Sequence, residues 1–317
     1  MAEEHYSYIG NKLKVSIENL YKHNEHILRQ IEEGLREEPY REPVVGYQGV
    51  EGSNGEEAAL TYFGQGVSAF KAHEEFEDVF LALQVGSIDY GVVPIENSSA
   101  GEVVDIYDLL KKYDLYIVGE QVLQIQHSLL AIKGTQLEEI REVYSHPQAL
   151  SQSKEFLRKH KEMQPKAYVN TAMAAQFVAE MKDRSKAAIG SKRAAKLYGL
   201  EVLEEGIHFN KNNCTRFVIL GKAMNIADNC DKISIVFNTA HESGALYQIL
   251  GHFAYNGLNL LKIQSRPLQE KNWEYLFFAD LEGNLQDANV LIALGKVKEH
   301  TKYFKILGNY KQAGRET

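Results

Sequence analysis

Three short segments of the chain crowd polar side chains against the end of an apolar run. The densest reads Asn212-Asn213-Cys214-Thr215-Arg216-Phe217 and passes directly into Val218-Ile219-Leu220. A polar turn thereby delivers a hydroxyl and a permanent cation to the head of a short strand. A guanidinium matches a carboxylate through two parallel N–H···O bonds, and a hydroxyl beside it stays polarised. That pairing suits a site that binds a small anion and donates one proton. For the triplet alone, a surface turn holding Thr and Arg is the competing account.

The crowding recurs twice upstream. Tyr90-Gly91-Val92-Val93-Pro94-Ile95 breaks into Glu96-Asn97-Ser98-Ser99-Ala100-Gly101, and Val143-Tyr144-Ser145-His146-Pro147 leads into Gln148-Ala149-Leu150-Ser151-Gln152. Each time an apolar run stops at or beside a proline and a helical pattern follows. Polar groups then sit at the carboxyl ends of strands and at helix N-termini, where open α/β sheets bind ligands. Glu96 reads equally as an N-cap-like acceptor or a catalytic group. Asn97 and Ser98 either cap the helix that begins near Val103 or donate to a ligand. His146 reads as a structural hydrogen-bonding histidine. Gly49, Gly52 and Gly55 form a loop that could offer backbone N–H groups to a carboxylate, although the spacing is not the dinucleotide fingerprint.

The positioning elements alternate. Val44–Tyr47 is strand-like, Phe76, Val79, Phe80 and Leu83 have core-facing helical spacing, and Tyr90–Ile95 is a buried strand. Ile106, Leu109, Leu110 and Tyr113 mark a helix, and Leu115–Ile132 reads as extended chain. Helices are expected around Gln148–His160 and Thr171–Met181, followed by strands at Ala187–Gly190 and Arg216–Leu220. Such alternation argues a parallel or mixed α/β sheet, with 115–186 as a second lobe. After a linker at Asn225–Asp231 come a strand, the helix stripe Ala245, Leu246, Ile249, Leu250, Phe253, two strands at Leu258–Ile263 and Trp273–Leu281, a helix at Val290–Val297 and a strand at Tyr303–Leu307. That order, βαββαβ, is ferredoxin-like. In the first 42 residues Leu13, Ile17, Leu20, Ile27, Ile31 and Leu35 recur at helical spacing and Gly34, Pro39 and Pro43 follow, which predicts one amphipathic helix.

With 317 residues the chain is long enough for two domains and an appendage. A formal charge of −8 supplies no basic field for nucleic acid or an anionic membrane, so an anionic ligand must be held by local cations such as Arg216. Cys214 and Cys230 form neither metal-ligand spacing nor a disulfide framework, and no metal or cofactor is expected. No apolar run approaches membrane-spanning length and the N-terminus has no apolar signal core, so the expected location is cytoplasmic.

The three segments, in this order, resemble the prephenate dehydratase family from about Val44 to Tyr310, including a C-terminal ACT-type regulatory domain. The resemblance implies an α/β fold: a two-lobed, periplasmic-binding-protein-like catalytic domain at 43–222 plus a ferredoxin-like (βαββαβ) ACT domain at 231–311. Many relatives carry a chorismate mutase domain at the N-terminus. Residues 1–42 are too few for such a bundle and read as a docking or dimerisation helix, or a mutase remnant. The implied substrate, prephenate, is a dianion that loses carbon dioxide and its ring hydroxyl to give phenylpyruvate. Aromatisation drives the reaction, so placed hydrogen-bond donors carry most of the acceleration. The implied roles are Thr215 as leaving-group donor, Arg216 as carboxylate anchor or loop organiser, Glu96 as a third catalytic candidate, and Asn97, Ser98, Ser145, Gln152 and Thr171 as substrate contacts. Phe217 reads as core.

Gly244-Ala245-Leu246 and Gln264-Ser265-Arg266 resemble the phenylalanine-binding segments of these ACT domains, with phenylalanine as allosteric effector. The implied assembly is a homodimer or homotetramer. Six positions depart from the family pattern: relatives usually have an aromatic residue at Asn54, Ser or Thr at Gly55, Gln-Asp at His208-Phe209, Ser at Asn170 and Glu at Gln264. The alternatives are therefore a prephenate decarboxylase, an arogenate dehydratase-like enzyme, or a catalytically weak amino-acid-responsive binding protein.

Overall fold

A computed structural model describes residues 25–34, 42–267 and 274–314. In chain order the first elements are α1 (Glu25–Gly34), β1 (Val44–Gln48), α2 (Asn54–Phe63), β2 (Ala69–His73), α3 (Phe76–Val85), β3 (Tyr90–Asn97), β4 (Gly101–Glu102), α4 (Val104–Lys112) and β5 (Tyr116–Gln124). Next come β6 (Ser128–Ala131), β7 (Glu142–Ser145), α5 (Pro147–Gln152), α6 (Lys154–Lys159), β8 (Gln164–Ala167), α7 (Thr171–Met181), β9 (Lys186–Gly190), α8 (Lys192–Tyr198), β10 (Glu201–Glu204) and β11 (Cys214–Gly221). The chain closes with β12 (Lys232–Asn238), α9 (Ala245–Tyr255), β13 (Leu260–Pro267), β14 (Tyr275–Glu282), α10 (Ala288–Glu299) and β15 (Phe304–Tyr310). Packing divides the described residues in two. One unit holds 42–106 and 121–217; the other holds 25–34, 107–120, 218–267 and 274–314.

The first unit contains two sheets. In one, the neighbours run β11-β3-β1-β2, with β1 parallel to both β2 and β3 and the short β4 antiparallel on β3. The other runs β10-β6-β9-β7-β8, parallel across β8-β7-β9 and antiparallel at β6. Polar side chains start the helices at the strand ends. Ser53, Asn170 and Ser191 each accept the backbone N–H three residues on, which satisfies a donor that the first turn leaves open. The expected α3 stripe is present: Val79, Phe80 and Leu83 are fully buried, while Phe76 reaches the cavity described below. The single helix expected at 148–160 is two, broken at Ser153, whose φ −101°, ψ 13° leaves the helical region.

The second unit has the order βαββαβ in β12-α9-β13-β14-α10-β15, and its strands lie β13-β14-β12-β15, all antiparallel. Ile233, Ile235, Phe237, Ile249, Phe253, Leu294 and Ile306 share one core. Ile27, Leu28 and Ile31 of α1 join that core, and α1 packs on α10. Gln30 fastens it: its side chain donates to Phe304 O at 3.1 Å and accepts from Ile306 N at 3.2 Å. Leu13, Ile17, Leu20, Leu35 and Pro39, and the Trp273 end of an expected strand, lie outside the described residues. Residues 107–120, which the sequence reading puts within the span 43–222, pack with this second unit. Ile117 pairs in parallel with Gly308, Lys305 donates to Tyr113 O, and the Tyr107 ring meets Phe278 edge-on at 4.8 Å. No helix among the described residues is long and apolar enough to cross a membrane.

At Gly308 the absent side chain is a packing requirement, because a Cβ would overlap the Ile117 carbonyl oxygen. Gly308→Ala is expected to lower the stability of this unit by about 2–3 kcal/mol, through forced separation of β15 from β5. Denaturant unfolding followed by circular dichroism reads the effect, and an unchanged midpoint would contradict the strand contact.

Candidate functional site

The first unit encloses a cavity of about 360 Å³ at the ends of its strands and the starts of its helices. Gln48, Pro94, Asn97, Thr215 and Phe217 line it from β1, β3 and β11. Ser53, Asn54 and Gly55 bring the start of α2, Phe76 the start of α3, Val103 the approach to α4, His146 and Gln148 the start of α5, and Asn170 and Thr171 the start of α7. Ile125, His127, Gln152 and Asn213 complete the polar and apolar wall. Among the described residues the lining holds no Lys, Arg, Asp or Glu. Helix N-termini at the wall offer backbone N–H groups and the end of the helix dipole that favours an anion.

One hydrogen-bond chain fixes which polar atoms remain available. Asn97 Oδ1 accepts from the backbone N–H of Ser99 and Ala100, at 3.0 and 2.9 Å, so its amide nitrogen must face the other way. Nδ2 then donates towards Thr215 Oγ1 at 2.9 Å and Asn213 Oδ1 at 2.9 Å, with Cys214 O at 3.2 Å. Asn213 Nδ2 donates to Gln152 Oε1 at 3.2 Å, and His127 Nε2 meets the same oxygen at 2.8 Å. Because that oxygen can only accept, His127 carries its proton on Nε2. The Thr215 hydroxyl and the Gln152 amide are among the wall groups that keep a donor without an acceptor among the described residues.

The expected residues divide by strand geometry. Thr215 and Phe217 face the cavity, while Arg216 lies between them on the alternate side of β11. Its Nε donates to Glu96 Oε1 at 2.8 Å, and neither Arg216 nor Glu96 is part of the lining. The cation expected to hold a ligand carboxylate is thus matched by a protein carboxylate. Ser98 and Ser145 are also off the wall. Ser98 Oγ accepts from Cys214 N and donates to Asn212 O, lacing β3 to β11, and Ser145 Oγ donates to Ile189 O across β7 and β9. Asn97, Gln152 and Thr171 line the cavity with Thr215. His146 caps α5 by accepting Gln148 N at 3.3 Å and lines the cavity as well.

Phe217, Asn213 and His127 are cavity residues that the sequence reading assigned to core or passed over. Two-residue periodicity from Thr215 would have found Phe217. No local signal links His127 to Gln152. At the departures, Asn170 caps α7 by accepting Met173 N at 2.7 Å, the task a serine would perform. His208 is buried and accepts His127 N at 3.2 Å through Nδ1, and Phe209 N donates to Gln152 O, so this segment braces two cavity residues. A side chain at Gly55 would meet the Gln48 carbonyl oxygen. In the second unit, Gly244 precedes α9 with φ 83°, Gln264 Nε2 donates to Ser265 O at 3.3 Å, and Arg266 pairs with Asp108 at 2.8 Å.

Burial sets the site's ionisation. The Tyr47 hydroxyl is pushed up to about 12, first by burial and then by Glu56 and Glu51. His127 is held below the usual histidine range by burial, opposed by the Gln152 hydrogen bond and reinforced by His208. Such a depressed base contributes stability that is present above its unfolded pKa, about 6.5, and lost as pH falls through the folded value. Thermal stability is therefore expected to fall on acidification below about pH 6.5, and His127→Gln should flatten part of that slope. Melting temperature measured against pH for both proteins checks this; parallel curves would exclude His127 as a contributor.

A cavity walled by helix starts and uncharged polar side chains in an α/β unit offers the donors that a small anion would need. A profile of the prephenate dehydratase family matches residues 45–225. The chain is 39% identical over 285 residues to arogenate dehydratase/prephenate dehydratase 6, chloroplastic, of Arabidopsis thaliana, covering 84% of this chain and 68% of that protein. It is 37% identical over 270 residues to the bifunctional chorismate mutase/prephenate dehydratase of Escherichia coli K12, covering 84% and 70%. A solved prephenate dehydratase from Arthrobacter aurescens in complex with L-Phe superposes with TM-score 0.79 at 28% identity, over 86% of this chain and 91% of that one. GqqA, described as a novel type of quorum-quenching acylase, superposes with TM-score 0.78 at 28% identity, over 86% and 98%. The chain belongs to the prephenate dehydratase family.

Proposed function

We propose that the chain converts prephenate to phenylpyruvate by decarboxylative dehydration, as a step in phenylalanine biosynthesis. The observation that carries this reading is the oriented Asn97 amide donating to Thr215 Oγ1 at 2.9 Å. An oxygen that accepts one hydrogen bond has its own proton free to give, and in this cavity no protein acceptor competes for it among the described residues. The Thr215 hydroxyl is the donor to the departing ring hydroxyl. The bond from the ring to its carboxylate breaks, its electron pair enters the ring, and the C–O bond breaks as hydroxide leaves. Phenylpyruvate, carbon dioxide and hydroxide account for every atom and both negative charges of the substrate. Stabilising the departing hydroxide needs a placed donor in a confined site and no strong acid.

The substrate's carboxylates are held by the starts of α2, α5 and α7 and by the Gln152 amide, with Arg216 and Glu96 bracing β11 against β3. Prephenate is favoured over arogenate because the lining offers no carboxylate to an ammonium group. The same reading includes feedback by phenylalanine at Gly244, Ala245, Leu246, Gln264, Ser265 and Arg266 of an ACT domain, and a cytoplasmic homodimer or homotetramer. The L-Phe complex of the Arthrobacter relative supports the effector.

Thr215→Val keeps the shape and removes the donor, so kcat on prephenate is expected to fall by about 10²–10³, while Thr215→Ser stays within about tenfold of the parent. Phenylpyruvate formation measures both. A Val variant with parental kcat would sink the donor role, and phenylalanine formed faster from arogenate than phenylpyruvate from prephenate would reverse the substrate assignment.

A further inference from the structure

We infer that Arg193 is a positioning residue for the cavity: it clamps the loop before α2 and cancels the charge of Glu56, keeping the α2 start open to an anion. The inference rests on the anionic-substrate reading above. Glu56 sits in the first turn of α2, and its side chain is only 8% exposed. Its Oε2 accepts three N–H groups: Gly52 N at 2.7 Å, Arg193 Nε at 3.0 Å and an Arg193 terminal nitrogen at 2.7 Å. Arg193 belongs to α8, which follows β9 of the second sheet and is seated there by the buried Ala194 and Ala195. α2 follows β1 of the first sheet, so the ion pair ties the two sheets of this unit together beside their shared cavity.

The backbone is fitted to the same junction. Tyr198, also on α8, donates its hydroxyl to Glu51 O at 2.7 Å. Gly52 has φ +83°, and a Cβ there would come within 3.1 Å of Leu197 and 3.5 Å of the Ala194 Cα. The positive φ favours glycine, and the loop packs in contact with α8. Gly49 and Ser53 flank this contact and both line the cavity.

Electrostatics gives the arrangement its consequence. A buried carboxylate at a helix N-terminus takes up the potential that a ligand carboxylate would otherwise use. Glu56 unpaired would therefore repel the substrate from the helix end that Ser53 and Gly55 present to it. Paired with Arg193 it is neutralised, and it still holds the Gly52 N–H. The clamp and the charge cancellation thus depend on one guanidinium.

Two readouts on the full-length protein separate this inference from the activity it rests on. In the ligand-free protein, Arg193→Met is expected to speed hydrogen exchange of the Gly52 amide by about tenfold or more. In turnover, the same variant should raise KM for prephenate about tenfold with kcat within about threefold, because a carboxylate is left beside the binding end of the helix. Adding Glu56→Gln removes that charge, so the double variant should return KM to within about threefold of the parent. A merely structural pair predicts the opposite, with the double variant at least as impaired as the single. Unchanged Gly52 exchange in Arg193→Met, or a double variant whose KM stays high, would overturn the inference. If the parent leaves prephenate unconverted, the functional proposal fails, and the exchange experiment still decides the clamp.

Discussion

The cavity's chemistry depends on the direction of one amide. Two backbone N–H groups of the turn after β3 hold Asn97 Oδ1, and every later assignment follows from that: the nitrogen must face β11, Thr215 must accept, Asn213 must pass its own amide on, and His127 must keep its proton on Nε2. A reversed Asn97 would set its oxygen against Asn213 Oδ1 and the Cys214 carbonyl oxygen. Buried polar chains of this kind are costly when half satisfied, so the turn that orients Asn97 is as much a part of the site as the hydroxyl it serves.

Among the described residues, the cavity wall carries helix starts and neither Lys nor Arg. Helix starts supply partial charges that are fixed in place and need no counter-ion of their own, whereas a guanidinium in the wall would have to be desolvated. The guanidinium that the TRF triplet advertises is used to join strands through Glu96. It is 10% exposed, and its partner is a third exposed, so the pair is one that structure can hold without the full cost of burying two ions.

Much of this was legible in the residues, for identifiable reasons. Period-3.6 spacing located α3 and the α9 stripe, and the βαββαβ order emerged from pattern alone. Asn97, Gln152 and Thr171, substrate contacts implied by the family resemblance, line the cavity with Thr215, which the polar turn before β11 singles out. Arg216 reads in sequence as carboxylate anchor or loop organiser; strand alternation turns it away from the side of Thr215, and choosing that side requires knowing that β3 is the neighbour of β11. His127 could not be found from its surroundings in sequence, since Gln152 and His208 reach it only through the sheet order. The break at Ser153 and the reassignment of 107–120 likewise come from tertiary packing, where a close approach of Gly308 to Ile117 outweighs chain continuity.

The interleaving of the two units bears on how the polypeptide reaches its native state. The ferredoxin-like unit recruits α1 and the stretch around Ile117, yet the strand that both contact is the last of the described strands; Gln30 meets a partner 276 residues downstream. Closure of that sheet rests on contacts between residues far apart in the chain, which local helix formation does not supply. Ile27, Leu28 and Ile31 share their core with residues of α10 and β15, so among the described residues α1 is held by the closed unit and not by contacts within its own stretch of chain.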